Sequence, residues 1–331
     1  MQKNKGAVKA KALWYVAPKR AELREELVPP PGPEELQVRA LFGAVSRGTE
    51  RLVHAGRVPA TEYQRMRAPR MGGDFPFPVK YGYATIGIVE IGPAELRGRV
   101  VFTLHPHQDV FNIPVRQAHP VPEGVPPQRA VLAANMETAL NAFWDGLPAA
   151  GDRIAIVGGG LVGMLTAYLC APLPGAEVTV IDVVPSRREL ARGIGARFAS
   201  TAVDLADCDL VVHASGTAAG LAAALRMAGD EATIVELSWY GAGEIAVALG
   251  EGFHSRRLRL VASQVGVVAP SHRARWSSAR RLAAALALLR DPALDALIGR
   301  PVEFAELPSQ LDNIFSTQSE AVCPLIRYLQ A

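Results

Sequence analysis

Arg153-Ile-Ala-Ile-Val-Gly-Gly-Gly-Leu-Val-Gly163 decides how this chain is read: an apolar run ends in glycines at 158, 160 and 163, and Asp182 follows nineteen residues later. Each glycine has its own task in a strand–turn–helix unit. Gly158 lets the chain turn tightly, Gly160 lets backbone N–H groups approach a pyrophosphate, and Gly163 lets the following helix pack on the strand. Leu161 and Val162 lie within this cofactor-binding turn, and the anion sits on the N-terminus of the helix that follows. The flanks argue against an ordinary glycine-rich turn. Met164-Leu-Thr-Ala-Tyr-Leu-Cys170 reads as helix, and Ala176-Glu-Val-Thr-Val-Ile-Asp182 reads as a second buried strand that delivers a carboxylate where a ribose 2′-hydroxyl would lie.

With 331 residues the chain exceeds what one hydrophobic core organises, so two domains are expected. Residues 1–126 show short strands broken by Pro and Gly, among them Ala12–Val16, Leu36–Phe42, Thr85–Glu90 and Arg99–Leu104, and read as an all-β, barrel-like unit. Over 127–265 strands at 153–157, 177–182, 209–213, 232–237 and 258–262 alternate with alanine-rich helical segments. That alternation builds a doubly wound parallel sheet, so the fold class is α/β. Residues 266–331 read as an amphipathic helix at 277–290 and a return to short strands and a helix.

Composition narrows the function class. A formal net charge of +3 with both signs interspersed points to neither nucleic acid nor a membrane surface. Cys170, Cys208 and Cys323 are scattered in apolar settings, as expected of a reducing compartment. No apolar core follows the basic N-terminus and no run nears the ~18 residues needed to span a bilayer, so a cytoplasmic protein is expected.

Four segments carry a family resemblance: Ser46-Arg-Gly-Thr-Glu50, Pro78-Val-Lys-Tyr-Gly-Tyr-Ala-Thr-Ile-Gly-Ile-Val89, Val212-His-Ala-Ser-Gly216 and the stretch from Phe253 to Ser263. Together they resemble the medium-chain dehydrogenase/reductase superfamily over nearly the whole chain. Within it, Thr49-Glu-Arg-Leu52 and Gly56-Arg-Val-Pro59 look most like the bacteriochlorophyllide dehydrogenase branch. The resemblance implies a GroES-like catalytic domain, a Rossmann domain, a nicotinamide cofactor, a small-molecule substrate and a homodimer.

The chain departs from the family at the zinc ligands. Arg47 stands at the cysteine position, with Ser46 as the alternative if the register slips by one; Tyr83 replaces the histidine, Ala84 its neighbouring glutamate, and Ala134 falls near the third ligand. No cysteine precedes Cys170, so the structural zinc lobe is absent too, and no metal is expected. His105-Pro-His107 and His119 read as ordinary surface residues rather than ligands. Without a metal, another donor must stabilise charge on the reacting oxygen. Arg47 and Tyr83 are the candidates, with Thr49 as proton relay. The alternatives are a local salt bridge for Arg47, to Glu50 for example, and a packed ring with a satisfied hydroxyl for Tyr83. Glu137 is either a buried acid facing the substrate or a complement to a helix N-terminus.

By the same resemblance Thr138 touches the nicotinamide, Ser215 and Gly216 line the adenosine side, and Leu237 and Trp239 close over the nicotinamide. Asp182 favours NAD(H), while Arg187 and Arg188 keep NADP(H) open. The expected protein is a zinc-independent, nicotinamide-dependent oxidoreductase acting on an alcohol, a carbonyl or an activated double bond. Its rivals are a zinc alcohol dehydrogenase with atypical ligands and a non-catalytic nucleotide-binding or sensor protein.

Overall fold

The computed structural model describes residues 6–202, 205–316, 319 and 321–328; Met1–Lys5, the basic start of the chain, lie outside the described residues. The chain divides into two units. One runs to Ala134 and resumes at Ile298; the other is Asn135–Leu297. The helix Ser278–Leu288 thus belongs with the second unit, and the C-terminal return begins at the strand Ile298–Glu303.

Among the described residues the second unit carries six parallel strands in the order Arg197–Ala199, Glu177–Ile181, Arg153–Val157, Cys208–His213, Ala228–Glu236, Arg259–Ala262. Ile154–Val157 and Val178–Ile181 are buried without alternation, the pattern of parallel strands covered on both faces. The order reverses at Arg153–Val157. The chain first builds outward to Arg197–Ala199, then crosses back to lay Cys208–His213 on the other side, and ligands of open α/β sheets bind beyond the carboxyl ends at such a point. The glycines behave as their spacing requires. Gly158 has φ +109°, and a Cβ on Gly163 would lie 1.9 Å from the Gly158 carbonyl oxygen, so the turn and helix close only around glycine. The helix is Leu161–Cys170, three residues earlier than Met164. The three-residue edge strand Arg197–Ala199 is too short to announce itself as a periodic pattern.

The first unit holds two sheets among the described residues. One has the strand order Arg20–Val28, Val8–Ala17, Val79–Lys80, Gly72–Gly73; the other runs Ile298–Glu303, Cys323–Arg327, Glu35–Ala44, Thr85–Ile91, Val100–Thr103, Ala118–Pro120, with Val110–Pro114 also paired to Glu35–Ala44. Leu13, Leu36, Phe102 and Phe111 fill its core. The strand Arg20–Val28 is absent from the pattern reading because its charged residues sit on a half-exposed outer strand that pairs only with Val8–Ala17. The turn Val45–Gly48 and the short helix Thr49–His54 follow directly from the central strand Glu35–Ala44, which holds that turn at a fixed height in the sheet. Among the described residues no helix is long and apolar enough to cross a membrane.

Candidate functional site

In the first unit Tyr83, at a position where the resemblance implies a metal ligand, lies beside Ser46 and Thr49. The Tyr83 hydroxyl has those two side chains as polar neighbours that favour its ionised form. Its ring stands edge-on to Tyr81, 6.2 Å between centroids. Burial pushes the Tyr83 phenol up to about 12 although those two neighbours pull the other way, so it remains an O–H at neutral pH.

Arg47, between Ser46 and Thr49 in sequence, spends its donors elsewhere. Nε donates to the Ile314 carbonyl at 2.9 Å, Nη2 to Ser316 at 2.7 Å, and Nη1 to Ala321 at 3.0 Å. These carbonyls lie at and beyond the C-terminal end of the helix Leu307–Phe315, where a cation is favoured. This corrects the expected oxygen-facing role: the guanidinium anchors the Ser46–Thr49 turn to the returning C-terminal segment, and Glu50 is not its partner.

Glu50 has a different setting. Its side chain is fully shut off from solvent and accepts from Tyr15 Oη at 2.8 Å, His107 Nε2 at 2.9 Å and the Ser46 amide at 2.8 Å. Three donors around one buried carboxylate fix the turn that presents Ser46 and Thr49. The histidines read as surface residues are therefore corrected in two of three cases. His107 is buried against Glu50 and Gly82, and His105 is buried in a stack on Phe111, 3.7 Å between centroids. Burial pushes the His105 imidazole down to about 3. His119 is half-buried, and burial lowers it too.

Zinc does not fit this donor set. Arg47, Tyr83 and Ala134 offer a guanidinium, a phenol and a methyl group where a tetrahedral site needs thiolate, imidazole or carboxylate. Among the described residues no three His, Cys, Asp or Glu side chains converge as metal ligands.

In the second unit the glycine turn fits a dinucleotide. Gly160 caps the ten-residue helix Leu161–Cys170 with no side-chain hydrogen bond to its first-turn amides, and a Cβ at Gly160 would meet nothing within 4 Å. Open space in front of uncapped amides is what a pyrophosphate requires. Asp182 lies beside the turn: Oδ2 accepts from the Gly159 amide at 2.6 Å and Oδ1 from Val184 at 2.8 Å, leaving lone pairs on both oxygens for ribose hydroxyls. Arg187 is buried at the start of the helix Arg187–Gly193, and Arg188 lies over the Phe198 ring at 4.8 Å.

Ser215 and Gly216 follow Cys208–His213, on the opposite side of Arg153–Val157 from Asp182. Thr138 is half-buried on the helix Ala133–Gly146, and Leu237 and Trp239 are half-buried just beyond the strand Ala228–Glu236. Glu137 is buried and paired with Arg281 at 3.0 Å. Burial pushes its carboxyl up, against the opposing pull of Arg281. Arg281 also donates to Asn141 and to the carbonyls of Val265 and Val267, so Glu137 belongs to a knot that holds the 265–267 segment rather than to a helix N-terminus.

Pattern reading did not single out Tyr15, Arg281 or the pair of buried His213 with half-buried Glu236, and it weighed His107 without its partner Glu50. The available signal was a titratable residue closing an otherwise apolar strand, as in Leu210-Val-Val-His213 and Thr233-Ile-Val-Glu236.

No protein-family model matches the chain. A curated relative, 2-dehydro-3-deoxy-L-galactonate 5-dehydrogenase of Pseudoalteromonas atlantica, is 28% identical over 139 residues, 39% of this chain and 40% of that protein. The matched region thus spans about two fifths of that relative. Solved structures match nearly end to end. A putative zinc-binding dehydrogenase from Sinorhizobium meliloti 1021, bound to NADP, superposes with a TM-score of 0.78 at 20% identity, covering 97% of this chain and 99% of that one. The short chain alcohol dehydrogenase rspB of E. coli CFT073, complexed with NADH, gives 0.77 at 16% identity over 96% and 99%. L-idonate 5-dehydrogenase of Escherichia coli K-12 gives 0.77 at 15% identity over 97% and 99%. At such identities the likeness shows the fold alone, a fold that these dehydrogenase structures share with the chain over nearly its whole length.

Proposed function

We propose that this protein is a zinc-independent, NAD(H)-preferring oxidoreductase that interconverts an alcohol and a carbonyl group on a small molecule. The observation that carries the reading is a buried phenol, Tyr83, standing at a position where the resemblance implies a metal ligand, with Ser46 and Thr49 as its polar neighbours. The nicotinamide cofactor, when bound, accepts or supplies the hydride. This chain then has to hold the cofactor and manage the oxygen's proton. The turn 158–163 would hold the pyrophosphate and Asp182 the ribose hydroxyls. Tyr83, kept protonated by its raised pKa, donates a hydrogen bond to the oxygen that gains negative charge, the task a Lewis acid performs in zinc enzymes. Thr49, with Ser46 beside it near Tyr83, relays the proton between that oxygen and solvent. Arg47 and Glu50 keep the three hydroxyls in place.

Two relatives are named for substrates that are sugar acids, so trials begin with sugar acids and polyols. The test is turnover against such a panel with NAD⁺, on protein whose zinc content has been measured. Activity at less than one tenth of a zinc per chain, unaffected by chelator, is the expected result; activity that requires added zinc overturns it. A homodimer is the proposed assembly, and light scattering that returns the 35.3 kDa chain mass would remove it.

A further inference from the structure

Glu137, Asn141 and Asp145 recur at every fourth position of the helix Ala133–Gly146 and so lie along one face. All three grip the segment 263–269. Asp145 Oδ2 accepts from Ser263 Oγ at 2.6 Å, and Asn141 Oδ1 accepts from the Ala269 amide at 3.0 Å. Glu137 works through Arg281, whose Nε donates to Glu137 Oε1 at 3.0 Å. The same guanidinium donates from Nη1 to Asn141 and to the Val267 carbonyl, and from Nη2 to the Val265 carbonyl. Arginine can only donate, so the direction of each of these bonds is fixed whatever the charge on Glu137.

Stability alone does not call for an arginine here. Arg281 is 1% exposed, and replacing a buried ion pair by apolar side chains of similar volume is often neutral or stabilising. It also stands in the first turns of the helix Ser278–Leu288, the end that disfavours a cation. What the guanidinium supplies, and an apolar side chain cannot, is a fixed register between a helix and an irregular stretch of backbone. The carbonyls of Val265 and Val267 are pinned to it, while Gly266 and Val267 stay exposed. The segment is thus held on one side and presented on the other.

The place of the segment says what it meets. It follows Arg259–Ala262, the last strand of the sheet, and Asp182 lies on the other side of Arg153–Val157. Ligands of such sheets lie beyond the carboxyl ends of the strands, with a dinucleotide spanning the crevice. Thr138 and Leu237, which the resemblance sets at the nicotinamide, flank the knot. Thr138 follows Glu137 in the helix, and the Ser263 amide donates at 3.0 Å to the carbonyl of Glu236, the residue before Leu237. We propose that Arg281 is a positioning residue for the nicotinamide ring: it locks the segment 265–267 to the helix that carries Thr138, so that the surfaces meeting the ring keep one geometry. The inference rests on the nucleotide-binding reading.

Calorimetric titration of the full chain with ADP-ribose and NADH tests it, because NADH adds only the dihydronicotinamide ring. Arg281→Lys keeps the charge but cannot span Glu137, Asn141 and two carbonyls. It should weaken NADH by roughly three- to tenfold, the range of one hydrogen bond, and leave ADP-ribose unchanged. Glu137→Gln still offers Arg281 an oxygen and is the milder change, so it reads the same contrast should Arg281→Lys fail to fold; NADH should again weaken while ADP-ribose holds. Equal losses for the two ligands overturn the proposal. So does a loss of stability in urea with both ligands bound as in the wild type, the mark of a merely structural role. A wild type that binds neither ligand overturns the nucleotide reading itself and this inference with it.

Discussion

Glu50 and His107 are 2.9 Å apart, Oε2 to Nε2, with both side chains wholly removed from water. The same carboxylate reaches Tyr15 and the Ser46 amide, so the support beneath the proposed catalytic hydroxyls is one buried ionisable network. Glu50→Ala leaves those donors buried and unpaired and should cost about 3 kcal/mol or more of stability. Tyr15→Phe removes one donor and should cost about 1 kcal/mol. Urea denaturation measures both, and a Glu50→Ala protein within 1 kcal/mol of wild type would show that the network does not bear on the fold.

Tyr83 and Arg47 should separate in kinetics. Tyr83→Phe keeps the ring and loses the O–H, so turnover should fall by ~10²-fold or more while NADH affinity holds. Arg47→Ala removes a guanidinium bonded to several main-chain carbonyls and should lower stability by about 2 kcal/mol. Arg47→Lys cannot reproduce that fan of bonds and should recover little of it. Near-normal turnover in Tyr83→Phe would remove the phenol from the mechanism.

Asp182 is the residue we propose sets the cofactor preference. Its carboxylate stands beside the glycine turn, where it welcomes ribose hydroxyls and repels a 2′-phosphate. Fluorescence titration should show NADH bound more tightly than NADPH in the wild type, and Asp182→Ala should narrow or reverse the order. Equal wild-type affinities at matched salt would sink the assignment.

His105 makes the fold sensitive to acid. Its folded pKa is about 3 and its unfolded value about 6.5, so between those pH values the unfolded chain binds the extra proton and stability rises with pH. Stability should be full above about pH 6.5 and fall by about 1 kcal/mol per unit as pH drops toward 3. Because His105 is stacked on Phe111, His105→Phe should fill the site and flatten that slope. An unchanged slope in this variant, from urea midpoints between pH 4 and 7, would assign the acid sensitivity to other groups.

The Rossmann unit was legible because its determinants are local. The strand Arg153–Val157, the glycines after it and the carboxylate ending the next strand are set by backbone sterics and short-range order, which a linear pattern records. The residue types at the positions where the resemblance implies zinc ligands were legible for the same reason, since a residue type at a motif position needs no tertiary contact to be read. What only the tertiary structure decided is where polar groups point. Arg47 turns to carbonyls at residues 314–321, and Glu50 meets a histidine 57 residues away. His213 and Glu236 meet because parallel strands bring their carboxyl ends side by side. A buried polar group must find a partner wherever the fold supplies one, and that partner is set by strand order and chain return rather than by neighbours along the sequence.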